Sequence, residues 1–327
     1  MSDLAPLAEA VAVDPLVGHP ADYQVFHQFL ERCKELPAST TAVVWPHSDV
    51  ALKGAVEAAE EGLILPTLIG DEAALKALAA KIGVDITPYT IAHADTERKA
   101  AEIGVFMCRN GQSQAMMKGS LHTDELMKVA MKGDTGLRTS RRISHVFVMD
   151  TPVYARTLLI TDAAINIEPE LEDKVHIVQN AIDLAHALGI PEPKVALLSA
   201  VETVNPKIKS TLDAAALCKM ADRKQITGGI LDGPLAFDTA VSVKAAKIKG
   251  LNSPVTGLAD ILVVPDLESG NMLAKQLEYF GGAQLAGIVL GARVPTILTS
   301  RADSAATRLT SCAVAVLLHY AEHPLGS

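Results

Sequence analysis

Short β-rich runs alternate with helical segments along almost the whole of this 327-residue chain. Residues 41–45 are typical of a buried strand, residues 143–149 alternate as a half-buried strand does, and residues 171–188 carry apolar side chains at helical spacing. Repeated alternation of this kind predicts a mainly parallel sheet covered by helices, that is, an α/β fold. In such folds the loops at the carboxyl ends of the strands collect functional groups, so a site is expected there.

The other predicted elements follow the same alternation. Further strands are expected at residues 63–69, 158–161, 195–199, 261–264, 287–290 and 296–299, and further helices at residues 50–61, 72–81, 212–221, 271–279 and 305–319. The length suggests about two domains, although no Pro/Gly/Ser-rich linker divides the chain. We place the boundary near Thr151, just after the strand at 143–149.

Charge and cysteine content exclude several classes of protein. The net charge of −9 argues against a nucleic-acid binder, which would show a basic face, although a few arginines can still form a local anion site. Four scattered cysteines without a CxxC pair indicate reduced thiols. The first residues carry acids where a signal peptide needs basic residues, and no apolar run reaches the length of a membrane span. We therefore expect a cytoplasmic protein that binds neither nucleic acid nor membrane.

Common catalytic motifs are missing from the sequence. It contains no GxxxxGK[ST] phosphate loop, no GxSxG elbow, no HExxH helix and no GxGxxG turn, and its ten histidines show no metal-ligand spacing. No motif therefore supports covalent or metal-assisted catalysis, and no metal site is predicted.

Six polar turns follow apolar strands and hold the candidate functional residues. The substrate-binding candidates in the first five turns are Lys118, Arg138, Asp162, Asn166, Asp232, Gly270, Asn271 and Lys275. The sixth turn, at the start of the last helix, contains Ser300, Arg301 and Asp303. Taken singly, each has a structural interpretation: Ser300 or Asp303 can cap a helix, Asp232-Gly-Pro can form an ordinary turn, and the arginines can be solvated. Together the turns favour a cleft that binds a multiply anionic ligand.

Long consecutive stretches at these turns carry a family resemblance from about residue 100 to Leu318. They are MKGSLHTDEL, GLRTSRRISHVFVMD, LLITDAAIN, DGPLAFDTAV, SPVTGLADILVVPDLESGNMLAKQL and PTILTSRADS. In them the sequence resembles the phosphate acetyl/butyryltransferase family, with GLRT and TSRADS closer to the butyryl branch.

The resemblance implies a fold and a reaction. The implied fold has two three-layer α/β/α domains around a cleft, as in isocitrate and isopropylmalate dehydrogenases, and forms a homodimer. Residues 1–150 plus 293–327 would form the first domain and residues 151–292 the second. The implied reaction transfers an acyl group reversibly between coenzyme A and phosphate, without a metal or a tightly bound cofactor. We expect acetyl-CoA as the substrate, with butyryl-CoA as the alternative.

The resemblance also implies roles in the sixth turn. Ser300 matches the family serine that orients the CoA thiol, and Arg301 matches the arginine that binds the phosphoryl group. The acetyltransferase branch has an aspartate, assigned as the base, seven residues after that serine, where this chain has Thr307. Asp303 is the nearest carboxylate and is the candidate base.

Two other classes of function stay open from the residues alone. A metal- and nicotinamide-dependent hydroxy-acid dehydrogenase of the same fold would use carboxylates such as Asp232, Asp238 and Asp260 as ligands. A non-catalytic module that binds acyl-CoA or phosphate would explain Thr307, but the presence of Ser300 and Arg301 weighs against it.

Overall fold

A computed structural model describes residues 25–299 and 304–325 of the chain. The described residues form eleven strands: β1 (Ser39–Val44), β2 (Ile64–Gly70), β3 (Thr90–His93), β4 (Ala115–Lys118), β5 (Ser144–Thr151), β6 (Tyr154–Thr161), β7 (Lys194–Leu198), β8 (Ile230–Leu235), β9 (Ile261–Val263), β10 (Gln284–Leu290) and β11 (Thr296–Ile297). They also form eleven helices: α1 (Val25–Cys33), α2 (Asp49–Glu60), α3 (Glu72–Ile82), α4 (Glu97–Arg109), α5 (Thr123–Ala130), α6 (Leu171–Ala187), α7 (Lys209–Asp222), α8 (Phe237–Val241), α9 (Val243–Ile248), α10 (Leu267–Tyr279) and α11 (Ala305–Glu322).

All eleven strands belong to one sheet, in the order β3-β2-β1-β4-β11-β10-β5-β6-β9-β7-β8. Strands β3, β2, β1, β4 and β11 are parallel neighbours, as are β6, β9, β7 and β8. The antiparallel pairs β11–β10, β10–β5 and β5–β6 join these two parallel groups. The prediction of a mainly parallel α/β fold is confirmed, and the division into two domains stays a prediction.

Helices cover both faces of the sheet, and β5 contributes side chains to both cores. Val146 and Val148 belong to one core, together with buried residues of α1, α2, α3, α6, α7 and α11. Phe147 and Met149 point to the opposite face, in a core with residues of α8 and α10. Because successive strand residues face opposite sides, the alternation in β5 reflects burial on both faces.

The second face of the sheet is covered by two separate groups of helices. Over β1 and β4 the core is completed by α4 and α5, and over β6 and β9 it is completed by α8 and α10. Among the described residues, a small apolar cluster that includes Met127, Val289 and Leu298 lies between them, over β10 and β11. The interruption between the two helix groups leaves room for a cavity above the middle of the sheet.

One local prediction was wrong. Asp232, Gly233 and Pro234 lie inside strand β8 (Ile230–Leu235) rather than in a turn. Strand β8 is the last strand of the sheet, and proline is tolerated in an edge strand because its missing N–H breaks no interior ladder bond.

Within the described ranges, no helix has the length and apolar character needed to cross a membrane.

Candidate active site

A cavity of about 340 Å³ opens where the two helix groups of the second face separate. Its walls are formed by the end of β4, the start of α5, the loop after β6, the middle of α10 and the end of β11. The lining residues are Lys118, Leu121, His122, Thr123, Asp124, Phe147, Ala164, Asn271, Lys275, Leu298 and Thr299. The structure therefore brings together three of the predicted substrate-binding residues, Lys118, Asn271 and Lys275.

Lys118 is the last residue of β4 and is almost completely buried, with 3 % exposure. Its Nζ donates a hydrogen bond to the carbonyl of Gly119 at 3.3 Å. A side chain at Gly119 would place its Cβ 2.4 Å from the carbonyl oxygen of Trp45, so glycine is required for the close approach of these two backbones. That approach fixes the turn that holds the Lys118 ammonium at the cavity wall.

Helix α5 begins at the same wall. His122 is its N-cap residue and makes no side-chain capping hydrogen bond. Within the described segment, the first backbone N–H groups of α5 therefore donate to no capping side chain. His122, Thr123 and Asp124 all line the cavity. The positive end of the helix dipole and the Lys118 charge therefore act on the same space, which favours an anionic ligand.

Asp162 organises the loop after β6. Its carboxylate accepts hydrogen bonds from the backbone N–H groups of Ala164, Ile165 and Asn166, at 3.0 to 3.2 Å, and from the side-chain amide of Asn166 at 2.6 Å. Burial raises the pKa of Asp162 above its ordinary value, while these hydrogen bonds act in the opposite direction. Asp162 and Asn166 thus fix the conformation of the loop, and Ala164 is the loop residue that lines the cavity.

Helix α10 packs against that loop through Gly270. A Cβ at Gly270 would lie 3.0 Å from the carbonyl oxygen of Asp162, and Nδ2 of Asn271 donates to the carbonyl of Ala163 at 3.3 Å. One turn later Lys275 lines the cavity and forms a 2.9 Å ion pair with Glu278. The glycine thus sets the distance between helix and loop, and the helix presents a second cation to the cavity.

The arginine-rich turn lies outside the cavity lining. Arg138 is exposed and its backbone forms an isolated bridge with Ala292. Arg142 extends towards the β6 loop, where its Nε donates to Oδ1 of Asn166 at 2.8 Å. Arg142, which was not selected from the sequence, is therefore the arginine of this turn that supports the site loop, and the binding role of Arg138 stays a prediction.

Asp232 also lies outside the cavity lining. It is on the edge strand β8, and β7 and β9 separate that strand from β6. Its Oδ1 accepts a hydrogen bond from the next backbone N–H, that of Gly233. A direct contact between Asp232 and a ligand in this cavity has no geometric support, and its binding role stays a prediction.

The carboxylates considered as metal ligands are separately paired. Asp260 forms an ion pair with Arg156, and Asp238 forms one with Lys249. In the two ranges that the structure describes, no group of three or more His, Cys, Asp or Glu side chains is arranged to hold a metal ion.

Ser300, Arg301 and Asp303 lie outside the described residues, and Thr299 and Ser304 are the described residues on either side of them. Thr299 lines the cavity, and its Oγ1 accepts a hydrogen bond from Nη1 of the buried Arg308. Helix α11 is capped by Ser304, whose side chain accepts from the N–H of Thr307 at 3.2 Å. Ser304 is thus the N-cap of α11, and the capping interpretation of Ser300 and Asp303 falls on residues outside the described ranges.

The apolar part of the cavity lining was not predicted. Leu121, Phe147, Ala164 and Leu298 are the apolar residues of the lining, in addition to the lysines. The alternating pattern of β5 places Phe147 on the second face, but no local signal shows that this part of the face lacks a helix. The lining therefore combines lysine ammonium groups with apolar side chains, a combination that suits a ligand with an anionic group joined to a short apolar one.

Comparison with known proteins gives the family context of this cavity. A family described as phosphate acetyl/butaryl transferase matches residues 87–316. The chain is 56 % identical to phosphate acetyltransferase of Rhizobium meliloti over 91 % of this chain and 94 % of that protein. It is 40 % identical to phosphate butyryltransferase of Clostridium acetobutylicum over 90 % of this chain and 97 % of that protein.

Solved structures show the same architecture. A branched-chain phosphotransacylase from Enterococcus faecalis superimposes with a TM-score of 0.76 at 32 % identity, covering 86 % of this chain and 99 % of that one. A phosphotransacetylase from Streptococcus pyogenes gives the same TM-score at 22 % identity, covering 91 % and 99 %. A 4-hydroxythreonine-4-phosphate dehydrogenase from Burkholderia phymatum, at 12 % identity and a TM-score of 0.54, shares the fold alone.

Proposed function

This chain belongs to the phosphate acetyl/butyryl transferase family, and we propose that it is a phosphate acetyltransferase. It transfers an acetyl group reversibly between coenzyme A and inorganic phosphate: acetyl-CoA and phosphate give acetyl phosphate and CoA. The observation that carries this choice is the 56 % identity to an acetyltransferase over nearly the whole chain, against 40 % to a butyryltransferase.

The reaction makes and breaks one bond at the acetyl carbonyl. Towards acetyl phosphate, a phosphate oxygen attacks the thioester carbon, the C–S bond breaks and CoA leaves as a thiolate that takes up a proton. In reverse, the CoA thiolate attacks acetyl phosphate and phosphate leaves. A free thiol has a pKa of about 8.5, so only a few per cent is thiolate at neutral pH. The protein must therefore orient the thiol and place positive charge on the phosphoryl oxygens.

The cationic groups of the cavity lining support phosphate binding. Lys118, Lys275 and the start of α5 supply positive charge there, and Asn271 adds an amide. We assign Arg301 to the phosphoryl group and Ser300 to the CoA thiol on the family resemblance, and their position directly after the cavity residue Thr299 in the chain supports the assignment. Arg138 is the candidate for a second guanidinium contact.

Within the loop after β6, Asp162 and Asn166 position the backbone rather than contact the ligand. Their hydrogen bonds hold the loop, and Gly270 sets the separation between the loop and α10. These three predicted binding residues therefore act through Ala164, Asn271 and Lys275, which line the cavity.

Asp303 is our candidate for the base that removes the thiol proton. Thr307 replaces the family aspartate, and its hydroxyl lies 3.1 Å from that of Ser304, within hydrogen-bonding distance. The Asp303→Asn variant should lose most of its turnover while keeping its melting temperature. Near-normal turnover of this variant would assign the proton transfer to another group.

The cavity supports a division into two domains around a cleft, with coenzyme A entering between them. Lys118 and Thr299 belong to the proposed first domain, residues 1–150 plus 293–327, whereas Asn271 and Lys275 belong to the second, residues 151–292. A cleft of this kind should close on its ligands, so small-angle scattering should give a smaller radius of gyration with CoA and phosphate bound. An unchanged radius would contradict the division.

An exposed apolar surface on α10 supports a homodimer. Met272, Tyr279 and Phe280, at the helix and its C-cap, are 60 %, 70 % and 91 % exposed. Light scattering after size exclusion should give twice the monomer mass of 34.5 kDa, and a mass of 34.5 kDa would contradict the dimer.

A cytoplasmic location completes the proposal. Its support is that all four cysteines are free thiols, with Cys33, Cys108 and Cys312 buried. Fractionation of the source cells with an antibody should place the protein in the cytosolic fraction, and recovery outside it would contradict the location.

The activity is tested by mixing the purified protein with acetyl-CoA and phosphate. Free thiol should appear only when phosphate is present, and ³¹P NMR should show an equal amount of acetyl phosphate. Thiol release without phosphate would indicate a hydrolase and contradict the proposal. Binding of both ligands without turnover would instead support the non-catalytic module.

A further inference from the structure

Phe147 occupies a distinctive place in the cavity. It lies in the middle of β5, is 8 % exposed, and is the one phenylalanine, tyrosine or tryptophan among the described residues that line the cavity. Leu121, Ala164 and Leu298 are the other apolar residues of the lining, and Lys118 and Lys275 are its cationic residues. An acyl tail that packs on the apolar residues of this lining would contact the Phe147 ring.

The ring of Phe147 packs against the buried ring of His145. His145, two residues earlier on the same face of β5, packs edge-on against it, with ring centroids 4.4 Å apart and planes at 77°. His145 is completely buried, and within the described structure neither of its ring nitrogens has a hydrogen-bond partner. Because burial lowers the pKa of His145 to about 3, the ring is neutral near pH 7 and its presence adds no charge behind the wall.

The space beside the two rings depends on Gly287. This residue is directly opposite Phe147 in the antiparallel pair of β10 and β5. A Cβ there would lie 3.2 Å from Nε2 of His145 and 2.3 Å from the carbonyl oxygen of Leu298. Leu298 continues the antiparallel pairing beside Gly287, with its N–H donating to the Gly287 carbonyl at 3.1 Å, so a side chain at position 287 has no room next to the two rings.

We propose that Phe147 is the residue that limits the length of the acyl group. This inference rests on the proposed acyl transfer and specifies how the cavity selects its substrate. The fixed ring leaves room for an acetyl methyl group and excludes the two further methylenes of a butyryl group. Each methylene buried in an apolar pocket contributes about 0.8 kcal/mol, so two of them correspond to a change on the order of tenfold in the ratio of specificity constants.

The test compares Phe147→Ala with wild type, using acetyl-CoA and butyryl-CoA at fixed phosphate. Removing the ring should raise the butyryl-to-acetyl ratio of kcat/KM at least tenfold. Phe147→Leu, a milder change that covers the case in which the alanine variant fails to fold, should raise the ratio by a smaller factor. Folding is checked by circular dichroism and thermal melting.

Met149→Ala is the matched control. Met149 is on the same strand and the same face, is fully buried, and does not line the cavity. It should lose stability without a change in the ratio. An unchanged ratio in a folded Phe147 variant that still uses acetyl-CoA, or an equal rise in Met149→Ala, would overturn the role of Phe147. Absence of turnover with every acyl-CoA in wild type would instead refute the proposed function.

Discussion

Nη1 of Arg308 donates a hydrogen bond to Oγ1 of Thr299 at 2.5 Å, with both side chains almost completely buried. The contact joins helix α11 to the last described residue before Ser300. Gly54 on α2 makes room for it, because a Cβ at that position would lie 2.6 Å from Cδ of Arg308. This end of the cavity is thus stabilised by three residues together: Gly54, the buried Arg308 and Thr299.

Thr299→Val should therefore destabilise the protein while keeping the side-chain shape. It removes one acceptor from a buried charged donor, a change that costs about 1.5–3 kcal/mol. Urea denaturation measures the loss, and Thr310→Val is the control, because the Thr310 hydroxyl donates to the carbonyl of Ala306 in its own helix. Equal losses in the two variants would show that the Arg308 contact has no special role.

His145 should make stability dependent on pH. Its folded-state pKa of about 3 is below the ordinary value of 6.5, so between these values the unfolded chain binds the proton and the folded protein does not. The free energy of unfolding should therefore fall as the pH is lowered from 6.5 towards 3, by up to about 1.4 kcal/mol per pH unit for this group.

His145→Leu should remove that contribution and leave the protein at least as stable near pH 7, because two buried ring nitrogens without described partners are replaced by apolar atoms. The measurement is urea denaturation at several pH values. His47 and His319, whose pKa values are also lowered by burial, are present in both proteins, so the difference between the curves isolates His145. Parallel curves for the two proteins would refute this assignment.

Arg301→Lys should raise the KM for phosphate or acetyl phosphate more than the KM for CoA. A guanidinium can bind two phosphoryl oxygens with parallel hydrogen bonds, and an ammonium cannot reproduce that geometry. Steady-state kinetics with each substrate varied in turn measures the difference. Equal effects on both constants would remove Arg301 from the phosphoryl site.

Ser300→Ala should lower kcat by roughly 10²-fold without lowering the melting temperature, as expected for the loss of one positioned group in a transition state. Ser304→Ala is the matched control, because Ser304 caps α11. It should lower the melting temperature and leave the turnover of the folded protein close to wild type. If Ser300→Ala instead lowered the melting temperature and Ser304→Ala lowered kcat, the two serines would have each other's roles.

The strands were predictable where burial on one or both faces produces an unbroken apolar or alternating pattern in the sequence. Strand β5, Ser144–Thr151, was predicted from its alternation, but as a half-buried strand, whereas both of its faces are buried, in two different cores. Helix α4 was not predicted, because its buried face consists of small residues with little hydrophobic contrast: Ala100, Ala101, Gly104, Val105 and Cys108. The antiparallel pairing that joins the two parallel groups depends on contacts between distant residues, which local patterns do not report.

The site was predictable only in part, because local patterns do not report which distant residues the fold brings together. Lys118, Asn271 and Lys275 could be selected because they follow strands or lie near helix starts, where ligands bind. Phe147 could not, since a phenylalanine in an apolar strand has the same local signature whether a helix or a cavity covers it. Asp162 was recognised as a polar residue at a strand end, yet its surrounding N–H groups, which give it a structural role, are formed only by the folded loop.

The most direct test of the account is the specificity constant of the wild-type protein for acetyl-, propionyl- and butyryl-CoA at fixed phosphate. A cavity of about 340 Å³ that also holds the phosphoryl group, with Phe147 in its apolar lining, predicts that kcat/KM is highest for acetyl-CoA and decreases with each added methylene. A value for butyryl-CoA tenfold above that for acetyl-CoA would contradict the assignment as a phosphate acetyltransferase.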